Sequence, residues 1–476
     1  MQNRRPLLDA LMQHLAENPV SFHVPGHKSQ FPYGHPEKEF LSGMSKLDLT
    51  ELPGLDNLHC PAGAIREAQE LAAEVYGVDR TYFLVNGSTC GILAALLAAA
   101  RPGECVVVDR FSHSSVSNGL ALGRLTPAYV NRRVDCDTGI PLSLDLEELE
   151  RVIKQHPRAS AVIVTSPSYF GICSDIKSIS GLAHDNGMIL IVDEAHGAHL
   201  KFCGRLPESA VDAGADIVIQ SAHKTLAAMT QGSWLHVRGD RVDTGRLESM
   251  LGIFQSTSPS YPIMASLDAA RAVMASAGED MLSSLVLWVR DARAKLNSGG
   301  KGFFCPGLEY FTGKGAYAFD ETRLIINVRN AGITGLQLDS ALRDNGRVYG
   351  EMYDYENWLG IATVGNTQAD FRALVRACET IRTAPGTVRD MPDYSCCNPP
   401  TVLNPWEVME RNSRRVLLEE AEGMVSASGV IPYPPGIPLV CPGERITRNV
   451  IERIKEYSRL GISIKGCNNG EIDAIY

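Results

Sequence analysis

A bilayer-spanning segment is not expected from this sequence. The longest apolar run, near Ile92–Ala100, falls far short of the roughly 20 residues a membrane helix needs. The N-terminus also lacks an apolar core between a basic start and a small-residue cleavage site, so no secretion signal is expected. The 12 cysteines show no C-x-x-C spacing, and Cys396 and Cys397 are merely adjacent; neither a disulfide framework nor a bound metal is indicated. Positive charge is in deficit, with 45 Lys and Arg against 55 Asp and Glu and a net charge of −10. That balance argues against a nucleic-acid partner and suits a small cationic ligand, but it reads equally well as a device for solubility. Internal repeats and low-complexity tracts are lacking. Together these absences predict a cytoplasmic protein with no membrane partner.

What is present is a globular composition, 44% hydrophobic and 21% charged, on a chain of 476 residues, long enough for two or three domains. Residues 1–55 read as an N-terminal arm. It carries an amphipathic helix over 6–17, opened by Pro6, and the polar string His23–Lys28. Residues 56–300 read as a large domain. A helix runs from Gly63 to a C-cap at Gly77, and apolar runs at Cys105–Asp109, Ala161–Thr165, Ile189–Asp193, Asp216–Gln220 and Ser233–Val237 alternate with helical patterns. This βαβ rhythm predicts an α/β fold with a mostly parallel sheet. A long helix is expected from Ala265 to Lys295, followed by a smaller α+β C-terminal domain over 301–476 with a strand at Leu324–Val328 and a helix at Gly335–Asn345. Within it, 384–405 is a proline-rich connector, a helix is expected over Pro405–Gly423, and Pro432–Pro438 can form neither helix nor central strand.

Two of the apolar runs end on chemistry. Met188–Val192 leads into Asp193-Glu194-Ala195-His196, and Ala215–Gln220 leads into Ser221-Ala222-His223-Lys224. Carboxyl ends of parallel strands face the ligand crevice of an open α/β sheet. An acid and a lysine delivered there suit pyridoxal phosphate (PLP): the amine would hold the aldehyde as a Schiff base, and the carboxylate would keep the pyridine nitrogen protonated. Either residue alone reads more simply as a turn cap or a surface lysine. A phosphate signal favours the pair: Asn86-Gly87-Ser88-Thr89 opens a helical stretch whose unpaired N–H groups suit an anion, and Ser221 and His223 could donate to the same group. His113 follows another strand end, where it could stack on a flat ring or serve as an ordinary loop residue.

Eight strings in order resemble the short form of the Orn/Lys/Arg decarboxylase family, PLP enzymes of the aspartate-aminotransferase fold (fold type I). They are His23–Lys28 (HVPGHK), Asp48–His59 (DLTELPGLDNLH), Asn86–Thr89 (NGST), Val192–His199 (VDEAHGAH), Gln220–Leu226 (QSAHKTL), Gln255–Tyr261 (QSTSPSY), Pro432–Leu439 (PYPPGIPL) and Pro442–Glu444 (PGE). The resemblance implies that Lys224 binds the cofactor aldehyde, that Asp193 meets the pyridine nitrogen, and that Ala195 packs on the ring face opposite His113. It implies Ser88, Thr89, Ser221 and His223 as phosphate ligands and places His196 in the cofactor shell. Thr257, on a string that by itself reads as a turn, would reach the phosphate of a neighbouring subunit, which makes a homodimer the minimal unit. The chain departs from the family pattern at Gly423-Met424, where Gly-Arg is usual, and at Ser428, where the family has an acid.

The activity so implied is decarboxylation of a basic L-amino acid, arginine favoured over lysine or ornithine, as in polyamine biosynthesis. A cationic side chain needs an acidic pocket end; Asp48, Glu51, Asp56, Glu351, Asp354 and Glu444 are the candidates, each equally readable as a surface charge or a helix cap. Two alternatives stay open. One is another PLP reaction on an arginine-like amino acid (aminotransferase, oxoamine synthase, oxidase or cyclase), separated by CO2 release. The other is a non-catalytic, decarboxylase-like scaffold, against which the intact Lys224 and Asp193 weigh.

Overall fold

The computed structural model describes residues 2–21, 23–28, 45–386, 392–394, 397–432 and 438–475. The chain divides into two compact units, Met1–Ala99 with Ile191–Leu282, and Ala100–Leu190 with Ser283–Tyr476.

In the first unit, helix Pro6–Ala16 begins at a proline and buries Leu7 and Leu11. Its first turn is held by Asp268, which accepts from the Leu7 N–H at 3.0 Å and from Arg271 at 2.7 Å. Helix Ala64–Tyr76 ends at Gly77, whose φ of 71° makes it a left-handed cap. The sheet of this unit runs, in spatial order, Arg80–Leu84, Ser233–Val237, Ile217–Gln220 and Ile189–Asp193. The last two strands are parallel, with Val192 opposite Val218 and Asp193 opposite Ile219. Ser233–Val237, by contrast, is antiparallel to both its neighbours. The chain between it and Ile217–Gln220 holds only a four-residue helix, Ala222–Thr225, and turns back alongside the strand it has just left.

Helix Tyr261–Ser298 is longer than the sequence suggests and, by length and composition alone, long and apolar enough to cross a membrane. Charged residues interrupt its apolar stretch. Asp268 and Arg271 on this helix are both fully buried and paired to each other at 2.7 Å, the pattern of a helix packed inside protein.

In the second unit, Cys105–Asp109 lies parallel to Thr126–Val130 on one side and Ala161–Thr165 on the other. Strands Arg323–Asn327, Asn357–Ile361 and Met352–Tyr353 form an antiparallel sheet. Helix Gly335–Gly346 opens with a Thr334/Gln337 capping box. The helix expected over Pro405–Gly423 is cut short at Met409. Residues Arg414–Leu417 instead pair antiparallel with Glu471–Ile475, and Leu418–Glu420 make one 3-10 turn. The helix-favouring Leu-Glu-Glu run yields because Val416, Leu418 and Ala421 bury against Ile446, Val450, Ile454 and Ile472. Of the expected Pro432–Pro438 segment, 433–437 lies outside the described residues.

Candidate active site

Lys224 stands on the short helix Ala222–Thr225, directly after strand Ile217–Gln220. Its Nζ lies 3.1 Å from His196 Nε2. Asp193 ends the neighbouring parallel strand; it is 3% exposed, and its Oδ1 accepts from the Ala195 N–H at 3.1 Å. The lysine, the buried carboxylate and the histidine therefore share one edge of the first unit. Ala195 is buried beside them.

The same edge carries an anion cradle. Helix Gly87–Ala99 begins with Gly87 at a φ of 71°, a backbone turn that favours glycine, and its first-turn N–H groups lack intrahelical acceptors. Ser88 Oγ, on that turn, is 2.7 Å from Ser221 Oγ and 3.3 Å from Ser233 Oγ. Thr89 is exposed beside it. Gly91 lets the helix close on the sheet, since a Cβ there would sit 2.7 Å from Leu84 Cδ1 and 3.2 Å from Ile219 Cγ2. The His223 ring sits at 2.9 Å from the Gly232 carbonyl through Nδ1, so that nitrogen carries the proton. Burial, and secondarily the Lys224 charge, lower its pKa against the raising effect of that hydrogen bond. Its other nitrogen donates only when the ring is charged, the state a phosphate would favour. Thr225 Oγ1, adjacent to Lys224, is buried and has no partner among the described residues. Hydroxyls, a helix N-terminus and an amine, with no carboxylate in the cradle, make a donor set that fits a phosphorylated aldehyde.

Other motif strings of the first unit meet. His27 Nε2 lies 3.1 Å from Asp48, joining the first two, and His59 Nε2 lies 2.8 Å from the Ser256 carbonyl. Gln255 Oε1 accepts from the Val85 N–H at 2.9 Å, linking the Ser256–Pro259 loop to the strand before the cradle. Thr257 is exposed on that loop. His113, in the second unit, caps helix Ser114–Leu122, its Nδ1 accepting from the Ser115 N–H at 3.2 Å.

Three of the acids named for a cationic side chain have other work. Asp56 is a helix-start anchor, accepting from the N–H groups of Asn57, Ala62, Gly63, Ile65 and Arg66 at 2.8–3.2 Å. Although burial alone would raise its pKa, those bonds hold it below the usual carboxylate range. Asp354 closes a turn by accepting from the N–H groups of Glu356 and Asn357 at 2.8 and 2.7 Å, while burial lifts its pKa to about 6. Glu444 is 1% exposed, takes both Arg110 nitrogens at 2.5 and 2.7 Å, and accepts from the Cys441 N–H at 2.7 Å. Its charge is already neutralised. Glu351 accepts from the Tyr169 hydroxyl at 2.7 Å, and Glu51 is exposed. Replacing Glu444 with alanine is accordingly expected to lower stability by about 3–5 kcal/mol, because a buried Arg110 is left unpaired. Urea unfolding checks it; a rise in KM at unchanged stability would instead return Glu444 to the substrate pocket.

Residues the motif reading passed over also converge here. Glu194, next to Asp193, is buried and accepts from Ser209 Oγ, the Ala210 N–H and Gln220 Nε2 at 2.7, 2.8 and 2.7 Å. Period-2 alternation was the available signal, since consecutive strand residues point to opposite faces.

The chain matches the Orn/Lys/Arg decarboxylase major domain over residues 5–324 and the C-terminal domain of the same family over 399–463. It is 35% identical to an arginine decarboxylase of Bacillus subtilis, covering 100% of this chain and 98% of that one. An arginine decarboxylase of Halalkalibacterium halodurans is 34% identical, with 98% and 96% covered. Lysine decarboxylase A from Pseudomonas aeruginosa, a solved structure, shares the fold at a TM-score of 0.85 and 22% identity, with 99% of this chain and 80% of that chain covered. The family, and with it the α/β fold of type I PLP enzymes, is the one the eight strings suggested: this chain belongs to the Orn/Lys/Arg decarboxylases.

Proposed function

We propose that the protein is a PLP-dependent decarboxylase of a basic L-amino acid, arginine before lysine or ornithine, releasing the amine and CO2. The observation that carries this reading is the strand-end pairing. Register places Asp193 opposite Ile219, so the carboxylate and the Lys224 turn leave neighbouring parallel strands side by side, next to the Ser88–Ser221 cradle. Full-length similarity to two arginine decarboxylases supports arginine as the substrate.

When bound, PLP supplies an electron sink for the pair released as the carboxylate departs. Lys224 would hold its aldehyde carbon covalently and yield it to the substrate amine. Ser88, Thr89, Ser221 and the charged form of His223 would hold the phosphate. Asp193 would keep a proton on the pyridine nitrogen, a role suited to a carboxylate that is 3% exposed and oriented by the Ala195 N–H. His196, 3.1 Å from Lys224 Nζ, can pass a proton to or from that amine, and the pair would supply the proton that replaces the departing carboxylate. The exposed Thr257 suits contact with the cofactor phosphate of a second copy, which makes a homodimer part of this reading.

The test is turnover of L-arginine, L-lysine, L-ornithine and related guanidino acids, with CO2 counted and products weighed. The expected outcome is agmatine and CO2 in equal amounts from arginine, with a kcat/KM at least about tenfold above that for lysine, worth ~1.4 kcal/mol of discrimination. A keto-acid or cyclised product without CO2 would replace decarboxylation by one of the other PLP reactions.

A further inference from the structure

Behind the Asp193–Lys224 edge lies a polar line that the proposed chemistry does not use. Thr81 Oγ1 is 2.9 Å from His236 Nδ1; His236 Nε2 is 3.1 Å from Gln220 Oε1; Gln220 Nε2 is 2.7 Å from Glu194 Oε2. Exposures are 4, 1, 0 and 1% from Thr81 to Glu194, so the line is shielded from bulk solvent. The line crosses three strands of the first unit's sheet and ends one residue past the fourth. At one edge the first strand leads to the Ser88 cradle, the second starts at Ser233, the third leads to Lys224 and the fourth ends at Asp193.

Its proton directions are fixed throughout. Gln220 gives its amide N–H to Glu194, which turns its carbonyl towards His236. His236 must then carry its proton on Nε2 and accept on Nδ1 from the Thr81 hydroxyl. Burial lowers the His236 pKa to about 3, so the ring is neutral, as this arrangement requires. Every donor points one way, and the line ends on the Glu194 carboxylate, which Ser209 and Ala210 also approach as donors. Hydrogen bonds to a buried charge are worth more than neutral ones and polarise those behind them. The Tyr76 ring covers His236 at a centroid separation of 4.3 Å, and its hydroxyl donates to the Ala198 carbonyl at 2.9 Å.

We propose that Glu194 is a positioning residue of this site: its charge anchors Gln220 and thereby sets the Lys224 turn against Asp193. The role rests on the proposed PLP chemistry and deepens it. The charge is conditional. Burial raises the Glu194 pKa to about 7, offset in part by its three donors and raised further by Asp212; Tyr76 and His236 are the other titratable groups facing it, both neutral near pH 7. Asp212 itself is paired with Lys201 at 2.5 Å. As pH falls through about 7 the carboxylate gains a proton, the line loses its sink, and the lysine turn loses its anchor.

The experiment follows covalent capture of PLP by Lys224, fixed with borohydride and weighed as the modified peptide, together with kcat/KM, from pH 5.5 to 9. The parent, Glu194→Gln and Ser209→Ala are compared. The parent should lose capture rate on the acid side. Ser209→Ala removes a bond to the charged form and should move that limb up by about 0.5–1 pH unit. Glu194→Gln cannot titrate; it should lose the part of the limb centred near pH 7, keep only the slope that attack by a free amine imposes on every variant, and capture PLP about tenfold more slowly throughout. Coincident limbs in the three proteins, or a Glu194→Gln capture rate within twofold of the parent at pH 8, would overturn the role. Should Glu194→Gln fail to fold, an unmoved limb in Ser209→Ala is enough to overturn it. A parent that captures no PLP at Lys224 defeats the functional reading itself, and the positioning role falls with it.

Discussion

Replacing Lys224 with alanine is expected to reduce CO2 release from arginine by about 10⁴-fold or more, since both the covalent nucleophile and a proton donor leave with one side chain. The loss should not reflect unfolding. Lys224 is half-buried on a four-residue helix, and alanine suits that helix at least as well. The cradle bond between Ser88 and Ser221 does not involve the lysine and should survive. Phosphate-bearing cofactor is therefore expected to bind still, without a borohydride-stable adduct. His196 would lose the amine 3.1 Å from its Nε2, so added alkylamines of lysine length should restore part of the rate. Isotopic CO2 release and peptide mass make the check. Turnover within tenfold of the parent would place the covalent bond elsewhere.

Much of this site was legible in the sequence because its signals are local. An apolar run of five residues ending in an acid, as at Ile189–Asp193, is at once a buried strand and a strand end, and the fold delivers it to one edge whatever happens elsewhere. The cradle was legible for the same reason: Gly87, Ser88 and Thr89 are contiguous and open a helix. What escaped depends on pairings across the chain. Nothing local to Glu444 announces Arg110, 334 residues earlier, whose guanidinium consumes it. Asp56 resembles a pocket acid until the N–H groups of helix Ala64–Tyr76 are seen to surround it. Gln220 and His236 read as ordinary strand residues. Only the antiparallel register of Ser233–Val237 brings them together. The residues after Met409 have helical propensity and fold otherwise because pairing with Glu471–Ile475 buries Val416.

Asp193 separates capture of the cofactor from its use. Replacing it with alanine is expected to lower kcat by about 10²–10³-fold, the effect of removing one preorganised partner from developing charge. Asparagine is the sharper variant. Its carbonyl can still accept from the Ala195 N–H, now at 3.1 Å from Oδ1, so the turn into Ala195 and His196 keeps its shape. Its neutrality removes the reason for a proton to stay on the pyridine nitrogen, and a buried position 3% exposed offers no water to compensate. Both variants should retain the borohydride-stable adduct at Lys224, which Lys224→Ala lacks. The contrast isolates the charge: the amine still reaches the aldehyde, but the electron pair released with CO2 has nowhere stable to go. Single-turnover rates with arginine, measured on adduct-bearing protein, make the comparison. An Asp193→Asn rate within a few-fold of the parent would show that the proton on the ring is held by another group, and would leave the strand-end carboxylate as no more than the anchor of its own turn.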